Sequence, residues 1–255
     1  MKTHPHTPRL AVALLGSLAL LTVACSDDES TSDTTAAAVE TTAAAVETTA
    51  AAAETTVPVT DAAPSFEGDL VGTFAIDAGT CDGTAVSGSY FQMVQPGGTP
   101  ADGPFIPNAD SACADTNYSL LAPGTDGGLI TGDFQAAPDP AFDATGNGLA
   151  GGIVAPVTFF AVAFAAATDP TGTAPSVTAT AGELTGDLSA FTAYYGAGIF
   201  NQGAPKPDGT GTAPTGTIDP ATGVYMLEWT SLIVGGSFDG FTGVWHLEGT
   251  FTPAA

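Results

Sequence analysis

Apolar and polar side chains alternate most clearly near the C-terminus, in the segments 224–233 and 241–251. In the second segment the alternation places Trp245 on one face of the chain and His246 on the other. A period of two is typical of a β-strand with one face in the core and one in water. The Gly-rich segment 235–240 between them favours a turn. The pattern therefore predicts a β-hairpin.

Other short apolar segments alternate with clusters of Gly, Pro and Asp along the rest of the chain. They predict further strands at 69–76, 87–94, 118–121, 129–134, 154–165, 177–180, 191–200 and 215–218. The Pro/Gly-rich segments 96–108, 136–152 and 201–216 predict long loops. Many short strands joined by turns indicate one all-β domain over residues 65–255, an antiparallel β-sandwich or jelly-roll.

Residues 1–24 have the composition of a secretory signal peptide. Lys2 and Arg9 precede an apolar run over residues 10–23, and a small residue, Ala24, precedes Cys25. The run has 14 residues, whereas a membrane-spanning helix needs about 20. The pattern predicts export from the cytoplasm.

The sequence Leu21-Thr22-Val23-Ala24-Cys25 resembles the lipobox of bacterial lipoprotein signal peptides. Thr22 departs from the Leu that is usual there. The resemblance implies cleavage before Cys25, acylation of that residue with palmitate or a similar chain, and a membrane anchor on the outside of the cell envelope. The alternative is an ordinary signal peptide with an incidental cysteine.

Residues 25–64 differ sharply in composition from residues 65–255. Three heptads of Thr, Ala, Val and Glu occupy residues 34–54. A coiled coil is the alternative, but each heptad offers at most one larger apolar residue, whereas a coiled coil uses two. The composition favours a disordered linker, which would hold the domain away from the membrane.

The charge balance limits the classes of ligand. Lys206 is the only Lys or Arg after Arg9, and 19 acidic side chains lie in residues 65–255. Nucleic-acid binding needs basic side chains that neutralise phosphates, so the composition excludes it. Binding of phosphate or carboxylate ligands by arginine is excluded for the same reason.

Cys81 and Cys113 are the other two cysteines. In an exported protein such a pair favours a disulfide. A redox-active pair is the alternative, but it usually has a CxxC spacing and a nearby base that stabilises the thiolate. We therefore predict a structural disulfide.

The many carboxylates raise the question of calcium, which prefers oxygen ligands. The weak candidates are side chains in Gly/Pro-rich turns: Asp139, Asp143, Asn147, Asp208 and Asp239. Their spacing does not match an EF-hand, and Asp in a turn more often accepts hydrogen bonds from its own backbone. No other cofactor is indicated.

The weak candidates for a ligand site are Tyr194, Tyr195, Glu228, His246 and Glu248. His246 is the only histidine after residue 24, too few for a zinc site, and no G-x-S-x-G motif suggests a serine hydrolase. We interpret His246 as an exposed strand histidine beside a carboxylate. The tyrosines alternate in direction, so only one of them would be exposed for sugar stacking.

The segments 185–203 and 216–251 resemble uncharacterised secreted bacterial β-proteins, many of which carry a C-terminal PEP-CTERM-type sorting anchor. The resemblance implies surface display and no particular activity. We expect a lipid-anchored surface protein with a non-enzymatic β-sandwich domain for binding or envelope structure. The alternatives are a carbohydrate-active module, either a glycan binder or a two-carboxylate hydrolase, and a calcium-dependent adhesion module.

Overall fold

The computed structural model describes residues 65–255. The signal peptide, Cys25 and the linker predicted for residues 1–64 lie outside the described residues. Within them the chain is built from β-strands, with one short 3-10 turn at Gly236–Phe238 and no α-helix. No helix in this part of the chain is long and apolar enough to cross a membrane. The predicted all-β class is confirmed.

Seventeen strands follow one another along the described chain. They are β1 (Gly68–Asp69), β2 (Gly72–Ile76), β3 (Thr80–Asp82), β4 (Ala85–Ser87), β5 (Tyr90–Thr99), β6 (Gly103–Phe105), β7 (Ser119–Leu120), β8 (Gly128–Thr131), β9 (Val157–Phe159), β10 (Val162–Thr168), β11 (Ser176–Thr180), β12 (Glu183–Asp187), β13 (Phe191–Tyr195), β14 (Gly198–Asn201), β15 (Thr212–Ile218), β16 (Val224–Leu232) and β17 (Thr242–Pro253).

The strands form three antiparallel sheets. The largest has the order β1-β11-β12-β15-β16-β17-β2-β8, and β5 adds to β17 and carries β6 and β7. The long strand β17 pairs with β16 on one side, and on its other side first with β5 and then with β2. A four-stranded sheet has the order β14-β13-β10-β9, and β3 and β4 form a small hairpin.

Aromatic side chains fill the space between the large and the four-stranded sheet. Trp229 on β16 and Trp245 on β17 are opposite each other and stack at 5.9 Å. Phe191 on β13 meets both tryptophans edge-on, at 5.2 and 4.9 Å. Phe164 on β10 lies 6.0 Å from Trp245. Burial of these large side chains is the main source of stability here.

The structure confirms the C-terminal hairpin but corrects several boundaries. The predicted strand 154–165 is divided by a turn at Phe160-Ala161, and 191–200 is divided at Gly196-Ala197. Both turns use positive φ angles, 49° at Phe160 and between 58° and 61° at the other three residues, which a strand cannot contain. Two predicted loops, 96–108 and 201–216, include parts of β5, β6 and β15.

A disulfide joins Cys81 on β3 to Cys113, as predicted. Cys113 lies in the segment 106–118, which has no strand of its own. Asn108 in this segment is buried, and its side-chain amide donates to Ser119 Oγ (2.9 Å) and to the Thr158 carbonyl (3.0 Å). The disulfide and these hydrogen bonds fix the segment beside β9.

Candidate functional site

Three of the predicted ligand residues meet on the outer face of the large sheet, in a group that we call the histidine cluster (Tyr90, Glu228, His246 and Glu248). His246 on β17 donates from Nδ1 to Glu228 Oε1 at 2.7 Å and from Nε2 to Glu248 Oε1 at 2.8 Å when its ring is protonated. Tyr90 on β5 stacks on the imidazole at 4.4 Å with an interplanar angle of 7°.

The interpretation of His246 as an exposed histidine is wrong. Only 8% of the residue is exposed, because Tyr90 covers the ring and Tyr118 packs edge-on against Tyr90. The other carboxylate oxygen of Glu248, Oε2, accepts a hydrogen bond from the Gly88 amide at 3.1 Å, which fixes the orientation of this side chain. The cluster is a fully bonded group on the sheet surface.

The two carboxylates set the charge of the cluster. Burial acts to lower the pKa of His246, but hydrogen bonds and charges from Glu228 and Glu248 outweigh it, and the pKa is raised. The hydrogen bond from His246 lowers the pKa of Glu228. Burial, with the nearby Glu228, Tyr118 and Glu248, raises the pKa of Tyr90 to about 12. The two carboxylates therefore favour the protonated form of His246, beneath the phenol of Tyr90.

We expect the wild type to lose stability relative to His246→Gln as the pH rises above 6.5 and through the raised folded-state pKa of His246. A raised histidine pKa gives stability that is complete below the unfolded-state pKa of about 6.5 and is lost as the pH rises through the folded-state pKa. The expected loss is about 1 kcal/mol, since both carboxylates are partly exposed. Urea unfolding at a series of pH values measures it, and parallel profiles for the two proteins would contradict it.

The predicted calcium candidates are spread over separate turns. Asp143 and Asn147 are adjacent, but Asp143 Oδ1 accepts from the Thr145 and Asn147 amides and Oδ2 from Asn147 Nδ2. These hydrogen bonds lower the pKa of Asp143 to about 2. Asp208 accepts from Thr210, and Asp239 from the Gly235 amide. Over residues 65–255, no three His, Cys, Asp or Glu side chains, Asp139 included, are grouped to hold a metal ion.

An apolar cavity opens at the surface beside the four-stranded sheet, and we call it the aromatic cleft. Three parts of the chain border it at the surface, which we call its mouth: the end of β9 with the β9–β10 turn at 160–161 that follows it, the β13–β14 hairpin, and the loop 233–241 that follows β16. Phe159 at the end of β9 lines the cavity, whereas the turn residues lie beside it. Its inner volume is about 50 Å³, and an outer depression lined by residues 195–200 and 234–238 adjoins it. Its main aromatic walls are Phe159, Tyr195, Phe200, Phe238 and Trp245, with Phe91 and Phe164 at the floor.

Large apolar side chains stay exposed around the mouth of the aromatic cleft. The exposed fractions are 45% for Phe160, 62% for Ile199 and 66% for Val234, each from a different one of the three parts of the chain. Phe160 lies edge-on against Phe159 at 4.9 Å and 6.0 Å from Phe238. Apolar side chains that converge around a concave apolar site are typical of a binding surface.

The β9–β10 turn holds its residues in an unfavourable backbone conformation. Phe160 and Ala161 have φ angles of 49° and 61°, where Asn and Gly are usual. The Ala161 amide donates to Asp110 Oδ2 at 2.7 Å, so the segment tied by the disulfide supports the turn. Strain kept at an exposed aromatic residue points to a functional role.

The two predicted tyrosines have different surroundings. Tyr194 is buried on the far side of the four-stranded sheet, 5.6 Å from Phe142. Tyr195 is half-buried and lines the aromatic cleft, and its hydroxyl donates to the Phe159 carbonyl at 2.9 Å. The two side chains lie on opposite faces of β13, as their alternation predicts, and they form no exposed strip for sugar stacking.

Comparisons with known protein families, curated proteins and solved structures found no match. The site is therefore interpreted from its own chemistry. Sequence reasoning missed three phenylalanines of the lining, Phe159, Phe200 and Phe238, because they lie in three short elements far apart along the chain. One signal in the sequence was usable: Gly196, because glycine favours the positive φ of a two-residue turn.

Proposed function

We propose that this protein is a lipid-anchored surface protein whose β domain binds a ligand in the aromatic cleft and catalyses no reaction. The observation that carries the proposal is an apolar cavity with exposed apolar side chains beside it: Ile199 and Val234 line the adjoining depression, and Phe160 lies 6.0 Å from Phe238 in the lining. Burial of a ligand there would remove apolar surface from water on both partners, which favours association.

The lining of the cleft favours binding over catalysis. Its polar side chains are Tyr195 and Gln202, and both are already bonded within the protein. Gln202 Oε1 accepts from Trp245 Nε1 at 3.4 Å, and its Nε2 donates to the Asn201 carbonyl at 3.2 Å. General acid–base or nucleophilic catalysis needs a titratable group or nucleophile facing the substrate. The histidine cluster has such groups, but it lies on the opposite face of the large sheet.

Phe160→Asn is expected to weaken binding at least fivefold and to change the free energy of unfolding by less than about 1 kcal/mol. Asn tolerates a positive φ, which offsets the packing lost with a half-exposed ring. The measurement is titration of the full chain with N-phenyl-1-naphthylamine, a neutral fluorophore that brightens in apolar sites, together with urea unfolding.

Val224→Ala is the matched control, because Val224 is exposed to 56% at the start of β16 and does not line the cleft. Its affinity should equal that of the wild type. The proposal is supported if the wild type and the control bind the fluorophore saturably and Phe160→Asn binds it with reduced affinity. Absence of saturable binding to the wild type would overturn it.

Anchoring through Cys25 is the other half of the proposal. It is supported by the lipobox-like sequence and by the charge and length of the segment before it. Cys25→Ala should abolish incorporation of labelled palmitate and move the protein from the detergent phase to the aqueous phase. Cys25→Ser keeps the size of the side chain and should behave in the same way. Unchanged partitioning in both variants would contradict the anchor.

A further inference from the structure

We propose that the ligand of the aromatic cleft is an organic cation of the quaternary ammonium class. This inference rests on the proposed function, because it assigns a chemistry to the same site. Four observations carry it: the arrangement of the rings, the charge around them, the small number of polar groups in the lining, and the volume of the cavity.

Three rings of the lining, Phe159, Tyr195 and Phe238, stand at angles to one another, and we call them the aromatic cage. Phe238 lies 5.6 Å from Phe159 and 6.0 Å from Tyr195, with interplanar angles of 70° and 50°. Phe159 and Tyr195 are 6.4 Å apart at 74°. Rings at such angles present faces in several directions, and the face of an aromatic ring carries negative electrostatic potential. A cation within about 6 Å of several such faces is attracted to all of them.

Two carboxylates and one amine lie near the cage, so acidic groups outnumber basic ones there. Asp110 bonds to the β9–β10 turn and contributes, after burial, to the raised pKa of Tyr195. Asp239 bonds to Gly235 in the loop 233–241. Lys206 is the only Lys or Arg in residues 65–255, and its amine donates to the carbonyls of Asn201 and Leu232, next to the lining residues Gln202 and Ile233. With 19 acidic side chains in this region, the field favours cations and repels anions.

The lining selects an alkylated cation over a hydrated one. Primary ammonium groups and metal ions need oxygen acceptors when they leave water. The lining offers few, because its polar side chains are Tyr195, whose hydroxyl is directed at the Phe159 carbonyl, and Gln202, whose Oε1 already accepts from Trp245 Nε1. A quaternary ammonium group has no N–H donor and surrounds its charge with methyl groups. It can therefore enter an apolar cage without leaving a hydrogen bond unmade.

The size of the cavity agrees with a trimethylammonium head group. The inner volume is about 50 Å³. One water needs about 10 to 15 Å³, so the cavity has room for several waters and for a small, compact head group. The rest of the ligand would then lie in the outer depression between Ile199 and Val234.

The experiment compares isosteric probes by calorimetry on the full chain. The probes are choline, its uncharged carbon isostere 3,3-dimethylbutan-1-ol, and the anion 3,3-dimethylbutyrate. Choline should bind at least tenfold tighter than the alcohol, and the anion should bind most weakly.

Asp110→Asn removes a charge but keeps an oxygen that accepts from the Ala161 amide. The variant should bind choline with an affinity at least threefold lower than the wild type and should bind the alcohol with unchanged affinity. Circular dichroism checks that the variant is folded.

The outcomes separate the two proposals. If the alcohol binds as tightly as choline, or if N-phenyl-1-naphthylamine binds while choline does not, the cation inference is overturned and the binding cleft stands. If neither the fluorophore nor any of the three probes binds, the proposed function fails as well. Choline binding that persists undiminished in Phe238→Leu would also overturn the cage, because that variant keeps apolar volume and removes a ring face.

Discussion

Trp229→Ala is expected to lower the free energy of unfolding by about 3 to 5 kcal/mol, the range for loss of a large aromatic side chain from a packed core. Trp229 is 1% exposed, stacks on Trp245 and contacts the edge of Phe191. Its Nε1 donates to the Gln202 carbonyl at 2.9 Å. The substitution therefore leaves a cavity between the two sheets and a buried carbonyl without its donor.

Urea unfolding followed by circular dichroism measures this effect. Trp229→Phe is the graded control, because it keeps a ring between the sheets and loses only the hydrogen bond and part of the volume. We expect it to cost about half as much as the alanine variant. Val224→Ala, at an exposed strand position, should stay within about 0.5 kcal/mol of the wild type. A loss below about 1 kcal/mol for Trp229→Ala would contradict the role of Trp229 in joining the sheets.

The C-terminal hairpin could be predicted from the sequence because period-two alternation is a local property. It placed Trp245 in the core and His246 with Glu248 on the other face, and the register Glu228↔His246 brings the carboxylate across the hairpin. The burial of His246 could not be predicted in this way. It depends on Tyr90, which reaches the imidazole only because β5 pairs with β17 from far along the chain.

The aromatic cleft could not be predicted, for a related reason. Its walls come from elements whose contacts depend on the packing of one sheet on another, and alternation gives no information about that packing. Apolar runs such as 154–165 resemble single strands, since Phe and Ala are unusual residues for a two-residue turn. The structure places Phe160 in that turn. The preference of two-residue turns for Asn and Gly therefore fails at a residue beside the cleft.

The segment 106–118 connects stability with the cleft. The disulfide holds one end of it, Asn108 anchors it to β9, and Asp110 supports the Ala161 amide in the strained turn. Loss of the disulfide should therefore change the positions of Asp110 and the β9–β10 turn at the cleft mouth, although neither cysteine lines the cleft. The charge of Asp110, which the cation inference uses, depends on the same anchoring.

The double variant Cys81→Ala/Cys113→Ala is expected to lose about 3.5 to 4 kcal/mol of stability. The cysteines are 32 residues apart, and closing a loop of that length in the unfolded chain removes entropy of this size in the chain-entropy model. We also expect choline affinity to fall at least threefold, because Asp110 loses its support. Urea unfolding and calorimetry measure the two effects.

Reduction of the wild type provides the control for the disulfide prediction, since it breaks the same bond without changing a side chain elsewhere. The reduced wild type and the double variant should unfold at the same urea concentration, within the small difference expected between a buried thiol and a methyl group at position 113. Asn108→Ala should lower choline affinity in the oxidised protein, because it frees the segment from β9 while the disulfide stays closed. If stability falls in the double variant but choline affinity does not change in either variant, the segment stabilises the fold without positioning Asp110.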